Sequence, residues 1–373
     1  MVVGIIFILL ATLFLSYANG ANDNFKGVAT LFGSGTTDYK KALCWATITT
    51  FLGSIAAFFI SSNLIISFSG KGLVPNTINN DPHFLISVAL GAAFTVFIAT
   101  LIGIPISTTH SLTGALIGAG LVSVGAQINL QMLGSNFLLP LLVSPLLSAL
   151  LALIIYPFFR FARMRLGIEH QMCLCIGQKA EPVCVQPNGT LLLKSTGIAL
   201  TIDQLQNCQQ YYQGKILGFD SQAILDKLHY LSSGAVSFAR GLNDTPKIVS
   251  LLLITRAFSL KWGIFIVALA MAIGGLLNAK RVALTMSKRI TKMNHGQGFS
   301  ANLISAFLVI FASKWGMPVS TTHVSCGSLF GIGLVNKKAN FPLIRQIILA
   351  WVLTLPLAAA FSSFCFSLLQ YIR

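Results

Sequence analysis

The sequence predicts an all-α integral membrane protein built from two inverted-topology repeats of about five segments, each repeat containing a re-entrant helical hairpin. Three observations lead there. The composition is too apolar for a soluble domain, two different motifs recur in the same order, and the Lys and Arg residues sort to one face only if each hairpin enters and returns.

Of 373 residues, 55% are hydrophobic and 9% are charged, against roughly 25% charged in a soluble domain. Apolar stretches at about 2–21, 42–66, 84–103, 111–128, 137–159, 229–254, 261–279, 299–314, 319–336 and 342–371 are expected to be long enough to cross ~30 Å of hydrocarbon. The net charge of +16 invites a nucleic-acid reading. The basic residues lie in the gaps between apolar segments, however, where charge sets membrane topology, so no nucleic-acid partner is expected. The apolar N-terminus lacks a basic leader and runs straight into Asn22-Asp23, which predicts a retained helix and not a cleaved signal. Four of the seven cysteines, Cys173, Cys175, Cys184 and Cys208, cluster in the polar stretch 160–228. Their spacing holds no clean CxxC pair, so reduced thiols are expected there, with zinc as the alternative.

Asn22-Asp23 recurs as Asn243-Asp244, an offset of 221 that also relates Gly53 to Gly274. GIPISTTHSLTGALIGAGL (103–121) recurs as GMPVSTTHVSCGSLFGIGL (316–334), an offset of 213. Two motifs repeated in one order make the chain two copies of a unit: a first membrane repeat at 1–159, a loop region at 160–228 and a second membrane repeat at 229–373.

If the STTH stretch is the tip of a hairpin, each copy has five segments and the second is upside down. Charge supports this. One face then collects Lys40, Lys41, Arg160, Arg163, Arg165, Lys280, Arg281, Lys288, Arg289, Lys292, Lys337, Lys338 and Arg345 with the 160–228 loop. The other keeps Lys71, Arg256, Lys261 and Arg373. The basic face, including the loop, is expected to be cytoplasmic, and the membrane to be the cell (inner) membrane. A proline just before the serine suits a broken helix, and a break at membrane depth survives only where protein or water surrounds the freed backbone. In transporters that is where cargo binds.

Ser107, Thr108 and Thr109, with Ser320, Thr321 and Thr322, would begin the returning hairpin arms. Unpaired N–H groups, the helix dipole and three hydroxyls would there form a neutral cradle for a tetrahedral oxyanion. Simple helix capping is the alternative. Asp23 and Asp244 are costly in a bilayer and would repel an anion, so they call for a co-transported proton or metal cation. Asn22 and Asn243 supply the neutral oxygens that Na⁺ accepts beside Asp. A structural role at a helix break is the alternative. Lys26 and Lys247, three residues beyond the aspartates, either pair with them or add positive potential to the anion's path. Pro246 suggests that the second helix begins or bends there. His110 and His323 either relay protons or tie each hairpin to its neighbours. Arg240, opposite Asn19 in the repeat alignment, has no assigned role beyond electrostatic support.

These residues carry a resemblance. GAND (20–23), GLND (241–244), GIPISTTH (103–110) and GMPVSTTH (316–323), with LLNAKRVALTMSKRITKM (276–293), are similar to the inorganic phosphate transporter (PiT) family of cation-coupled symporters over nearly all the membrane part. The resemblance implies an inverted-repeat carrier, often a homodimer in the lipid bilayer, that moves inorganic phosphate inward with Na⁺ or H⁺. It implies that the STT residues bind phosphate and that the ND residues serve the cation and phosphate site, with no cofactor. Departures matter too. Many members read GANDVANA where this chain reads GANDNFKG, and Thr50 stands where eukaryotic sodium-driven members carry an acid. Rival readings are a sulfate or other oxyanion permease and an uncoupled anion channel. A phosphate proton has an acceptor in Asp23 or Asp244, which favours phosphate. No nucleophile, base and orienting acid converge, so an enzyme is not expected.

Overall fold

Among the described residues, local sequence places ten long helices. We label them α1 (Val2–Asp23), α2 (Tyr39–Ile60), α3 (Pro82–Ile102), α4 (Thr108–Val124), α5 (Leu139–Arg165), α6 (Ser221–Leu253), α7 (Leu260–Asn278), α8 (His295–Lys314), α9 (Thr321–Val335) and α10 (Phe341–Tyr371). They come from a computed structural model that describes residues 2–68, 72–166, 172–185, 191–204, 217–253 and 258–372. Five helices fall in each half, matching the apolar stretches. Each helix of the first half has its counterpart five labels on.

Seven described helices are long and apolar enough to cross a membrane. The hairpin arms α4 and α9 have 17 and 15 residues. At ~1.5 Å per residue α9 spans about 23 Å, short of the ~30 Å a crossing requires. Each hairpin turns through a glycine in the left-handed region, Gly103 (φ 84°) and Gly316 (φ 71°). A side chain there would be strained, and these are the C-terminal stops expected of such helices. Proline follows two residues later in both, so neither α3 nor α8 can simply continue. Asp38 caps α2 by accepting from the Lys41 N–H at 2.9 Å. That bond holds its carboxyl below the usual carboxylate range.

Packing inverts the soluble pattern. Phe59, Leu146 and Val352 face outward at 80%, 73% and 64% exposure, while Asn19, Asp23, Arg240, Asp244 and Lys247 are each at most 2% exposed. Small residues let the helices approach. A methyl on Gly20 (α1) would strike the Met271 carbonyl of α7, and one on Gly274 would strike that of Tyr17. A methyl on Gly241 (α6) would strike the Thr50 carbonyl of α2, and one on Gly53 that of Phe238. Adding or subtracting 221 turns the first pair of contacts into the second. Gly114 of α4 against Leu355 of α10 likewise has its counterpart in Gly327 of α9 against Pro145 of α5. Exchanging the halves maps contact onto contact, the behaviour of a two-fold relation.

The copies differ beside the ND motifs. Pro246 does not begin a helix, the first of the two expectations for it: α6 runs through it from Ser221 to Leu253. The first copy, without proline, is the one that changes. There α1 ends at Asp23, a 3₁₀ turn covers Lys26–Val28 and a short helix covers Ala29–Gly33. Asn22-Asp23 therefore lies where the α-helix gives way to a turn, whereas Asn243-Asp244 lies inside a continuous helix.

The chain forms two compact units, Met1–Tyr156 with Tyr230–Arg373 and, separately, Pro157–His229. The membrane unit is helical. The second unit holds a feature not read from the sequence, a three-stranded antiparallel sheet of β1 (Met172–Val185), β2 (Leu191–Gln204) and β3 (Leu217–Asp220) in the order β2-β1-β3. Pro182 lies in the central strand at a register shift between Pro182 and Cys184, where the missing N–H interrupts the ladder least. Cys173, Cys175 and Cys184 fall on β1. Cys208 lies outside the described residues, and with it the choice between thiols and zinc.

Candidate functional site

The two hairpin tips meet the two ND motifs in the buried interior of the membrane unit. Lys26 Nζ donates to Asn22 Oδ1 at 2.8 Å, to the Ile106 carbonyl at 2.8 Å and to Thr322 Oγ1 at 2.7 Å, and is paired with Asp23 Oδ1. Lys247 Nζ donates to the Val319 carbonyl at 2.8 Å and to Thr109 Oγ1 at 2.7 Å, with Asp244 Oδ1 at 3.5 Å. Each ammonium thus binds the tip carbonyl of its own half's hairpin and a threonine hydroxyl of the other half's. The offsets 221 and 213 convert one arrangement into the other.

Other candidates join them. Thr108 Oγ1 donates to Asp23 Oδ2 at 3.3 Å and accepts from Asn19 Nδ2 at 2.9 Å. Thr322 Oγ1 donates to the Ile106 carbonyl at 2.9 Å, and Thr109 Oγ1 to the Val319 carbonyl at 3.4 Å. Asn22 Nδ2 reaches Thr100 Oγ1 at 2.9 Å, while Asn243 Oδ1 accepts from Ser313 Oγ at 3.2 Å. Thr321 is buried in the first turn of α9. The serines act locally: Ser107 Oγ accepts from the His110 N–H and Ser320 Oγ from the His323 N–H, both at 3.1 Å. Both are therefore helix caps.

His110 and His323, counterparts in the repeat, meet edge to face with ring centroids 4.4 Å apart. His323 also lies 4.0 Å from the Trp351 ring centroid and shares a 3.1 Å contact with the Leu141 carbonyl. Trp351 Nε1 donates to the Pro105 carbonyl at 3.1 Å. The two rings therefore lie where the hairpins meet each other, with His323 also against α5 and α10.

Arg240 is more central than electrostatic support alone would require. Its Nη2 donates to Asn19 Oδ1 at 2.6 Å and its Nη1 to Asn24 Oδ1 at 3.2 Å, and Nε lies 3.7 Å from Asp244 Oδ2. Asn19 Nδ2 in turn reaches Asp23 Oδ2 at 3.2 Å and Asp244 Oδ2 at 3.3 Å. An arginine in an apolar stretch, aligned with Asn19 by the offset of 221, was the available signal. Thr50 Oγ1 lies 3.5 Å from Arg240 Nη1. Two carboxylates, Asp23 and Asp244, are thus enclosed with three cations, Lys26, Lys247 and Arg240. The companionship that buried acids require comes from the chain itself, and the cluster carries a surplus of positive charge suited to an anion.

Helical repeats, two hairpins meeting at a buried cationic centre and an apolar exterior define a multi-pass membrane transporter. A profile of the phosphate transporter family matches residues 19–362, and the chain belongs to that family, which comprises transporters and not enzymes. It is 27% identical over 403 aligned residues to a protein of Pyrococcus abyssi named as a phosphate permease, covering 97% of this chain and 96% of the relative. It is 26% identical to a protein of Rhizobium meliloti named as a low-affinity inorganic phosphate transporter, covering 95% and 93%. Among solved structures, one described as the sodium-dependent phosphate transporter shares the fold, with a TM-score of 0.76 over the whole of both chains at 20% identity.

Proposed function

We propose that this protein imports inorganic phosphate across a cell membrane by alternating access between two inverted repeats, coupled to Na⁺ or H⁺. The observation that carries the reading is the crossing of the lysines. Because Lys26 and Lys247 each join one hairpin's carbonyl to the other hairpin's threonine, relative motion of the repeats must remake the contacts around a cationic centre. Thr108, Thr109, Thr321 and Thr322 line the tips at the N-termini of α4 and α9, where dipole and hydroxyls favour an oxyanion. Ser107 and Ser320 shape those termini by capping. Asn22, Asp23, Asn243 and Asp244 form the coupling element. The distribution of basic loops favours a cytoplasmic 160–228 loop region in a cell (inner) membrane, and the family resemblance favours a homodimer.

Uptake of ³²P-phosphate into proteoliposomes under imposed Na⁺ or H⁺ gradients, with sulfate and arsenate as competitors, tests this. Accumulation against a phosphate gradient, lost in Asp23→Asn and in Asp244→Asn, is the expected result. Sulfate competing as well as arsenate would shift the reading to a general oxyanion permease. Downhill flux without accumulation would make the protein an uncoupled channel.

A further inference from the structure

Lys26 Nζ sits among four oxygens of four kinds: the Asn22 amide carbonyl (2.8 Å), the Ile106 main-chain carbonyl (2.8 Å), the Thr322 hydroxyl (2.7 Å) and the Asp23 carboxylate. Carboxylate, carbonyl and hydroxyl oxygens are the donors a hard metal cation selects. Here an ammonium occupies their centre. The side chain comes from the 3₁₀ turn that follows α1, three residues beyond Asp23, is 4% exposed, and reaches both hairpins.

The second centre repeats the pattern with another lysine. Lys247 Nζ takes the Val319 carbonyl at 2.8 Å, the Thr109 hydroxyl at 2.7 Å and Asp244 at 3.5 Å, and is 1% exposed. One ligand is missing by comparison. Asn243 turns its amide NH₂ toward Asp244 Oδ1 (3.1 Å) and the Val319 carbonyl (3.2 Å), and its carbonyl oxygen accepts from Ser313. The first cage is therefore the tighter one.

We propose that Lys26 and Lys247 are tethered substitutes for a coupling metal cation: their ammonium groups fill the two oxygen cages, and Na⁺ has no stage at either in the transport cycle. A metal ion entering either cage would meet a positive charge already bonded to the same oxygens, in a site where burial leaves little screening. The inference rests on the phosphate-transport reading and narrows it, because removing Na⁺ from these positions leaves its proton branch. It also assigns the lysines a purpose beyond neutralising the acids, since a fixed positive charge stays beside the anion throughout the cycle.

The test needs no phosphate. The purified full chain is melted in NaCl and in choline chloride at equal ionic strength. The wild-type protein is expected to melt identically in both. Lys26→Ala and Lys26→Asn, which vacate the tighter cage and leave its oxygens, are expected to gain a saturable, Na⁺-specific rise of about 3 °C or more. Lys26→Met, which fills the space without charge, should gain none. A Na⁺-specific rise in the wild type, or folded Lys26→Ala and Lys26→Asn proteins indifferent to Na⁺, would overturn the proposal. Variants that fold only in NaCl would support it. If neither variant folds in either salt, the wild-type comparison decides. In parallel, ³²P-phosphate counterflow in proteoliposomes separates the two readings. Equal wild-type rates in Na⁺ and choline are expected, and dependence on Na⁺ would defeat this proposal while leaving phosphate transport intact. Absence of counterflow in every medium would defeat the phosphate reading, with the melting comparison still deciding the role of the lysines.

Discussion

Asn19 and Arg240 occupy equivalent positions in the two repeats and bond directly to each other, Arg240 Nη2 to Asn19 Oδ1 at 2.6 Å. A residue that touches its own counterpart must sit beside the axis relating the halves. There a single guanidinium serves both aspartates, directly at Asp244 and through Asn19 at Asp23.

The position on the axis makes the arginine exchangeable. Arg240→Asn alone removes the buried guanidinium that Asp244 and Asn19 share and should destabilise by about 3–5 kcal/mol, with loss of phosphate uptake. Asn19→Arg alone adds an unmatched charge. The double exchange, Asn19→Arg with Arg240→Asn, returns the charge to the same place and should recover melting temperature and uptake relative to either single variant, a coupling that a double-mutant cycle reads directly. A double variant no better than the worse single one would contradict the two-fold placement.

The crossed lysine bonds predict equal consequences from unlike sequence positions. Thr109→Val and Thr322→Val each remove an acceptor from the opposite half's ammonium, which should lower stability by about 1.5–3 kcal/mol and reduce ³²P-phosphate uptake to a similar extent. Thr→Ser at either site keeps the oxygen and should retain most of both. Unimpaired uptake and melting in both valine variants would show that the bonds do not tie the hairpins together.

Capping and anion binding by the serines are separable. Ser107→Ala and Ser320→Ala should each lose about 1 kcal/mol of stability, and Ser→Asn, which also caps, should restore it. In the double alanine variant the apparent phosphate affinity should weaken as the helix ends fray. Asparagine at both sites should return it. Affinity that stays low with asparagine would assign the hydroxyls a direct contact to the anion.

Close helix crossings should tolerate no methyl. In Gly241→Ala the new carbon would meet the Thr50 carbonyl and lie 2.7 Å from the Ser54 nitrogen, backbone atoms that cannot turn aside, so destabilisation of about 3 kcal/mol or more is expected. Gly134→Ala meets nothing within 4 Å and should change stability by less than about 0.5 kcal/mol. Thermal melting of the two variants side by side checks the α2–α6 contact.

Much of this was legible along the chain because the signals are local or periodic. Apolar run length located the helices, and Gly and Pro at 103, 105, 316 and 318 marked the hairpin turns. The offsets 221 and 213 exposed the repeat without any contact being known. The sheet at 172–220 was not legible. Its strands are mixed in polarity and one contains a proline, so their state depends on pairing between segments far apart in sequence.

The sequence by itself determined a membrane protein of two copies, with acids, lysines and hydroxyls repeated in each, because hydropathy and recurrence are properties of order along the chain. Only the tertiary structure decided what neutralises Asp23 and Asp244. Burial makes a charge seek the nearest opposite group in space, and the interlocking of the halves put Thr322 beside Lys26, Thr109 beside Lys247, and Arg240 between the two acids.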